Sequence, residues 1–163
     1  YAVIDAHKIP FADDTFDLVI ANHMLFYCDD ISKALSEIRR VLKPGASLVC
    51  STYSKCHMRE IIDLVQNFNS NIVLSSTNLY ERFGLDNGKQ ILSKFFSDVT
   101  CKKYHDAIEI SEATPIISYI LSCHGNQNEI LLNHYQEFKQ YVESKVSGGF
   151  STTKDAGFFT AKK

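Results

Sequence analysis

Two stretches of sequence decide the fold of this chain. The first is F-A-D-D-T-F-D-L-V-I-A-N-H-M-L-F-Y-C-D-D, which begins at Phe11, and the second is R-V-L-K-P-G-A-S-L-V-C-S-T, which ends at Thr52. Residues 16–21 form a nearly continuous apolar run, which is typical of a strand buried on both faces of a parallel sheet. Asn22 and His23 follow where that run ends. Because open α/β sheets bind ligands at the carboxyl ends of their strands, these two polar residues mark a candidate site.

The segment after this strand has the pattern of a helix followed by a second strand. Apolar residues recur at helical spacing, and they are Ile31, Leu35, Ile38 and Leu42. Asp29 or Asp30 can cap the start of this helix, and Pro44 with Gly45 can end it. Residues 47–52 then supply a second apolar run. The sequence therefore predicts a strand-helix-strand unit with a ligand site at its carboxyl edge.

Composition narrows the class of protein. The chain has 163 residues, 45% hydrophobic content and a net charge of -2, so it is long enough for one domain with a real core. The balanced charge argues against a nucleic-acid partner, and no apolar run approaches the ~18 residues that a membrane-spanning helix needs. The five cysteines include no C-x-x-C pair and no histidines show metal-ligand spacing. We expect free thiols, a cytoplasmic protein, and neither a metal site nor a membrane contact.

The remaining segments extend the α/β pattern. Residues 1–4 read as a short strand that ends at Asp5, and residues 99–110 as extended chain. Residues 150–153 and 158–161 read as two strands of an antiparallel hairpin around the turn 154–157. Helices are predicted over three segments, 58–68, 86–96 and, with one interruption, 115–147. We predict a single domain over residues 1–163, with a helical insertion at 111–149.

Two motifs place this chain beside a known family. D-A-x-x-I-P-F-A-D-D-T-F-D-L-V-I-A-N-H-M-L-F-Y begins at Asp5, and E-I-R-R-V-L-K-P-G-A ends at Ala46. Together they resemble the class I S-adenosylmethionine-dependent methyltransferases, and most closely the small-molecule branch that includes the ubiquinone and menaquinone biosynthesis enzymes. The resemblance implies a Rossmann-like mixed sheet in which strand seven lies between strands five and six. It also implies S-adenosylmethionine as the cofactor and a small molecule as the methyl acceptor.

The resemblance assigns cofactor-binding roles to five residues. Asp5 matches the carboxylate that accepts a hydrogen bond from the adenine amino group, and the backbone of Ala6 meets the edge of the ring. His7 lies beside them and could cover the adenine face. Asn22 matches the residue at the end of the fourth strand, close to the methionine part of the cofactor, and His23 follows it at the mouth of the site.

Two further candidate roles have structural alternatives. His23 is a candidate catalytic base, because a neutral imidazole can accept a proton from a substrate hydroxyl or amine. A histidine at a strand end also packs on a cofactor or bonds a backbone carbonyl, so both readings stay open. Tyr27 is a candidate substrate contact, although aromatic residues at such spacings more often belong to a core.

The chain departs from the family pattern in two respects. It carries neither the glycine-rich loop that follows the family's first strand nor the acidic residue that holds the ribose hydroxyls. The sheet is therefore expected to be incomplete, with strands three to seven present and strands one and two missing. We expect this chain to be the C-terminal part of a longer methyltransferase that is inactive alone, or one whose sheet another chain, such as a second copy, completes.

Three functions follow from these features. The first is methyl transfer from S-adenosylmethionine to a small molecule by direct displacement. The second is a non-catalytic, methyltransferase-like module that binds a partner or a metabolite. The third is RNA methylation, which would require a basic surface, and the balanced charge argues against it.

Overall fold

The computed structural model describes residues 1–163, apart from the side chain of His105. The first half contains β1 (Phe16–Asn22), a 3₁₀ turn (Leu25–Tyr27), α1 (Ile31–Val41), β2 (Leu42–Tyr53), α2 (Arg59–Phe68), α3 (Leu79–Arg82) and α4 (Gly88–Leu92). The second half contains β3 (Ser97–Ile110), α5 (Ala113–Ser122), α6 (Gln127–Leu131), α7 (Tyr135–Val146) and β4 (Phe150–Lys162). No helix among the described residues is long and apolar enough to cross a membrane.

The predicted strand-helix-strand unit is confirmed. β1 and β2 are parallel, with Leu18 opposite Ser47 and Asn22 opposite Ser51. The connection between them is α1, whose cap Asp30 accepts a hydrogen bond at 2.9 Å from the backbone N–H of Lys33. Four apolar residues on one face of this helix are buried, and they are Ala34, Leu35, Ile38 and Val41. The carboxyl ends of β1 and β2 therefore meet at one edge of the sheet.

The strand order agrees with the topology that the resemblance implied. The described chain forms one sheet in the order β1-β2-β4-β3, which corresponds to strands four, five, seven and six of the family. β4 pairs with β2 in the antiparallel sense, from Ser47 opposite Lys162 to Tyr53 opposite Ala156. The sheet is thus mixed, as predicted, with its last strand in sequence inserted between two others.

The predicted hairpin within residues 150–161 is wrong, because this segment is one long strand, β4. Its neighbours in the sheet are β2, with which it pairs in the antiparallel sense, and β3 on the other side. Gly157 looked like a turn residue, yet it lies opposite Thr52, and a Cβ there would lie 2.6 Å from the carbonyl oxygen of Lys102. Glycine is needed here for the close approach of two strands rather than for a turn.

The strand predicted over residues 1–4 does not form. Tyr1 and Val3 are fully exposed, and β2 is the neighbour of β1 in the described sheet. A strand needs backbone hydrogen bonds from an adjacent strand, and no strand of the described residues pairs with residues 1–4. The described sheet therefore has counterparts of strands four to seven of the order that the resemblance implied, and the expected strand three is wrong.

The chain forms two compact units, each with its own core. The first comprises residues 1–55, 79–104 and 156–163, and its core includes Leu35, Leu48, Phe83 and Phe159. The second comprises residues 56–78 and 105–155, and its core joins α2 to α5, α6 and α7 through apolar side chains such as Val65, Ile120 and Phe138. The helical insertion over 111–149 stays a prediction.

In the second unit, the half-buried carboxylate of Glu60 joins the start of α2 to the start of β4. Glu60 accepts hydrogen bonds from the hydroxyl of Thr152 at 3.1 Å, and from the backbone N–H and the hydroxyl of Thr153 at 2.8 and 2.6 Å. Burial alone would raise the pKa of this carboxyl, but the hydrogen bonds outweigh burial and lower the pKa to about 2. Glu60 is therefore ionised and fully used as an acceptor at neutral pH.

We expect Glu60→Gln to lower the free energy of unfolding at pH 7 by about 1–3 kcal/mol, because the amide loses the charge that strengthens three hydrogen bonds. The folded pKa lies below its ordinary value of 4.5. The stabilisation is therefore complete above pH 4.5 and is lost as the pH falls toward 2. Urea unfolding of both proteins across this range should show the difference between them shrinking with acidity.

The matched control for this prediction is Asp63→Asn, on the same helix, where the carboxylate is 54% exposed and lies 3.9 Å from Arg59. An exposed pair of this kind is worth little, so this control should change stability by less than about 0.5 kcal/mol. A difference between wild type and Glu60→Gln that stays constant from pH 7 to pH 3 would contradict the role assigned to Glu60.

Candidate functional site

A tight turn after residue 4 holds the first predicted site residue. One carboxylate oxygen of Asp5 accepts hydrogen bonds from the backbone N–H of His7 at 2.9 Å and from Nδ1 of its ring at 2.7 Å. The backbone N–H of His7, followed by its ring, holds the pKa of Asp5 below its usual value. The carboxylate is 67% exposed, so its second oxygen is accessible to a ligand.

The His7 ring connects this turn to the start of α1. Its Nε2 accepts a hydrogen bond at 3.2 Å from the backbone N–H of Asp30, while Nδ1 faces Asp5. This pairing requires the neutral tautomer with the proton on Nδ1. Both ring nitrogens are thus bonded within the protein, and coverage of the adenine face by this ring stays a prediction.

The segment that follows the turn is fixed to α1 by an ion pair. Arg40 donates from its guanidinium to Glu37 and to the carbonyl oxygens of Ile9 and Phe11, at 2.8–2.9 Å. Glu37 in turn accepts from the backbone N–H of Ile9 at 2.9 Å. The hydrogen bond from Arg40, followed by that from Ile9, lowers the pKa of Glu37 to about 2. These bonds anchor the chain between the Asp5 turn and β1.

Asn22 and His23 lie at the carboxyl end of β1, as predicted, and both contact Ser51 on β2. The Ser51 hydroxyl donates to Oδ1 of Asn22 at 3.3 Å and accepts from the backbone N–H of His23 at 3.1 Å. The backbone of His23 adopts a left-handed conformation with φ of 47°. Such a conformation is uncommon for a residue other than glycine, and it often marks a functional position that neighbouring contacts hold in place.

Aromatic rings surround His23. Its imidazole is nearly parallel to the Tyr53 ring, with 6.3 Å between centroids, and lies edge-on to Phe26 at 6.2 Å. Phe26 is buried and also meets Tyr27 edge-on at 4.8 Å. Tyr27 is 66% exposed, so it belongs to the surface of this cluster rather than to the core. The four rings together form an aromatic wall at the carboxyl ends of β1 and β2.

An apolar groove of about 380 Å³ runs along β1. Ala6 lines it together with Ala21 and Met24, which places the Asp5 turn and the end of β1 around one concavity. Leu18 and Ile20 also line it and are 49% and 59% exposed. The groove therefore offers an apolar surface between the two parts of the candidate site.

Two cysteines of the first unit, Cys28 and Cys50, are buried. Burial raises the pKa of Cys50 to about 12, and it also raises the pKa of Cys28. Among the described residues, no three His, Cys, Asp or Glu side chains converge in an arrangement that could hold a metal ion.

The structure thus gathers the sequence-predicted residues into two clusters. Asp5 and His7 form one, and Asn22, His23 and Tyr27 form the other, while Ala6 lines the apolar groove. Sequence reasoning missed Ser51 and Tyr53. The available signal was that Ser51 and Tyr53 end the second parallel strand, whose carboxyl end must lie beside that of the first.

The start of the chain is similar in sequence to known methyltransferases. Residues 1–50 match the family model described as a methyltransferase domain. Over 50 residues the chain is 50% identical to the ubiquinone/menaquinone biosynthesis C-methyltransferase of Desulfotalea psychrophila, a match that covers 31% of this chain and 20% of the relative. It is 37% identical over 57 residues to the malonyl-[acyl-carrier protein] O-methyltransferase of Methylococcus capsulatus, covering 35% of this chain and 21% of that relative.

A solved structure extends the likeness to nearly the whole fold. The YcgJ protein from Bacillus subtilis matches 97% of this chain and 68% of its own, with a TM-score of 0.57 and 15% identity. The matched part of the chain corresponds to about a fifth of the length of the two curated relatives. In sequence over residues 1–50 and in strand order, this chain resembles the class I S-adenosylmethionine-dependent methyltransferases.

Proposed function

We propose that this protein is an S-adenosylmethionine-dependent methyltransferase that acts on a small-molecule acceptor by direct displacement. The observation that carries the proposal is the pair of residues Asn22 and His23, held by Ser51 at the end of a parallel strand inside the segment that matches a methyltransferase domain. Ligands bind at this edge in open α/β sheets.

The residues present fit one side of the cofactor. Asp5 is ionised, exposed and held by His7, so its second oxygen can accept from the adenine amino group, beside the backbone of Ala6. Asn22 and His23 offer polar groups for the methionine part. The described residues supply no glycine-rich loop and no ribose-binding acid, so they form only part of a cofactor site. When bound, S-adenosylmethionine supplies a methyl group already activated by its sulfonium.

The protein must therefore bind the acceptor, orient it toward the methyl group and exclude water. Because the methyl donor is activated, much of the rate would come from holding the acceptor in line at ~3 Å from the methyl carbon. The aromatic wall formed by His23, Phe26, Tyr27 and Tyr53 supports this role, since its rings offer a flat apolar surface at the carboxyl edge against which an acceptor can pack. A general base, for which His23 is the candidate, is needed only when the acceptor must lose a proton.

A small-molecule acceptor is favoured by two observations. The curated relatives carry the names of a quinone-biosynthesis C-methyltransferase and a malonyl-[acyl-carrier protein] O-methyltransferase. The net charge of -2 gives no basic surplus for RNA. Tyr27, at the exposed edge of the aromatic wall, is the residue we assign to acceptor contact.

Transfer of isotopically labelled methyl groups tests the reaction and its acceptor together. The full-length protein would be incubated with methyl-labelled S-adenosylmethionine and separate fractions of small metabolites, RNA and protein. We expect the label in the small-metabolite fraction. Label in RNA would overturn the acceptor class, and no transfer to any fraction despite cofactor binding would favour the non-catalytic module.

A further inference from the structure

The Ser51 hydroxyl occupies a bridging position at the end of the two parallel strands. A hydroxyl can donate one hydrogen bond and accept two, and this one acts both as a donor and as an acceptor. It donates to Oδ1 of Asn22 at 3.3 Å and accepts from the backbone N–H of His23 at 3.1 Å. A residue that is not itself assigned to ligand contact therefore holds both residues that are.

The hydrogen bond to Asn22 determines which end of its amide is available. Because Oδ1 is engaged by Ser51, the amide NH₂ group of this exposed side chain is the end left for a ligand. A ligand group opposite it must accept hydrogen bonds, as a carboxylate does. The methionine part of the proposed cofactor carries a carboxylate, which is a strong acceptor for such a donor.

The hydrogen bond to His23 holds a backbone that most residues avoid. The N–H of His23 is shared between the hydroxyl of Ser51 at 3.1 Å and the carbonyl oxygen of Ser51 at 3.3 Å. This N–H belongs to the residue that directly follows β1, and the φ angle of that residue is 47°. Loss of the hydroxyl would leave the weaker of the two contacts to hold the left-handed conformation.

We propose that Ser51 is a positioning residue, which presents the amide NH₂ of Asn22 to the cofactor carboxylate and holds the backbone of His23 beside it. This inference rests on the proposed function. It adds Ser51, whose side chain acts through its neighbours, to the proposed site. It also specifies that the NH₂ group of the Asn22 amide faces the ligand. Because this role requires a hydroxyl group, we expect threonine at position 51 to preserve cofactor affinity and alanine to reduce it.

Three variants on one strand test this role in the full-length protein: Ser51→Ala, Ser51→Thr and, as the matched control, Ser47→Ala. Calorimetric titration with S-adenosylmethionine should show about ten-fold weaker affinity for Ser51→Ala, and affinities within about two-fold of wild type for the other two. Amide hydrogen exchange without cofactor should be about ten-fold faster at His23 in Ser51→Ala alone.

The outcomes separate this inference from the proposed function. Affinity unchanged in Ser51→Ala, with wild type binding normally, would overturn the positioning role and leave the methyltransferase proposal intact. Equal loss of affinity in Ser51→Thr and Ser51→Ala would also overturn it, since the hydroxyl would then not be the feature required. Absence of binding by wild type would overturn the proposed function, and with it the inference.

Discussion

Phe159→Ala is expected to lower the free energy of unfolding by about 3–5 kcal/mol, the usual cost of removing a fully buried aromatic ring. Phe159 is completely buried on β4, opposite Cys50 of β2. Its ring meets Phe83 edge-on at 5.9 Å. Gly88 approaches so closely that a Cβ there would lie 2.6 Å from the Phe159 ring. The Phe159 ring is thus in close contact with both Phe83 and Gly88.

The neighbouring residue supplies a matched control for this prediction. Phe158 points to the opposite face of β4 and is only partly buried, with its ring 5.8 Å from Tyr104. Phe158→Ala should therefore cost less than half as much in chemical denaturation at equal protein concentration. Similar small losses for both variants would contradict the placement of β4 as a central strand of the first core.

Asp5→Ala is expected to weaken S-adenosylmethionine binding by the full-length protein about 10- to 100-fold, the range for loss of a hydrogen bond to a charged group. The carboxylate has two tasks here, since one oxygen holds His7 and the other is exposed. Asp5→Asn keeps an acceptor for His7 and loses the charge, so we expect an intermediate loss. Calorimetric titration would measure all three affinities.

Asp29→Ala is the control for the loss of a carboxylate in the same region. Asp29 is fully exposed and lies 3.7 Å from Arg82, a surface pair that is worth little. Its removal should leave the cofactor affinity within about two-fold of wild type. An Asp5→Ala protein with wild-type affinity would refute the adenine-binding role of this carboxylate.

The part of the fold that sequence predicts well is the part that local pattern controls. The apolar run of β1, the helical spacing from Ile31 to Ile38 and the stop near Pro44 each depend on neighbours within a few residues. The structure confirms the strand and the helix. It does not confirm the stop at Pro44, because the helix ends at Val41 and Leu42, Pro44 and Gly45 lie within β2. Burial of β1 on both faces is also wrong, since Leu18 and Ile20 are 49% and 59% exposed. Because a crossover between parallel strands then follows from the order strand-helix-strand, the topology of this unit was predictable as well.

The errors arose where a strand depends on distant partners. Residues 1–4 have the composition of a strand, but composition cannot supply the neighbouring strand that its hydrogen bonds require. The sequence predicts a turn at Gly157 because glycine permits turns and close strand contacts equally, and only the position of Lys102 distinguishes the two. Both errors concern contacts that join segments far apart in the sequence.

The candidate site likewise contains some residues that the sequence predicts and others that depend on contacts between distant segments. That Asn22 and His23 end a strand could be read from the sequence, and so could the ligand-facing edge of the sheet. The role of Ser51 could not, because it depends on the register that sets Asn22 opposite Ser51. The bond between His7 and the backbone of Asp30 was equally hidden, since it joins residues separated by a whole strand.

The central claim is that the carboxyl edge of β1, with the Asp5 turn, forms part of an S-adenosylmethionine site. Calorimetric titration of S-adenosylmethionine into the full-length protein tests it most directly. We expect saturable binding that the Asp5→Ala variant weakens and the Asp29→Ala variant does not. Absence of binding heat at about 1 mM cofactor, where even a weak site would be half occupied, would contradict the claim.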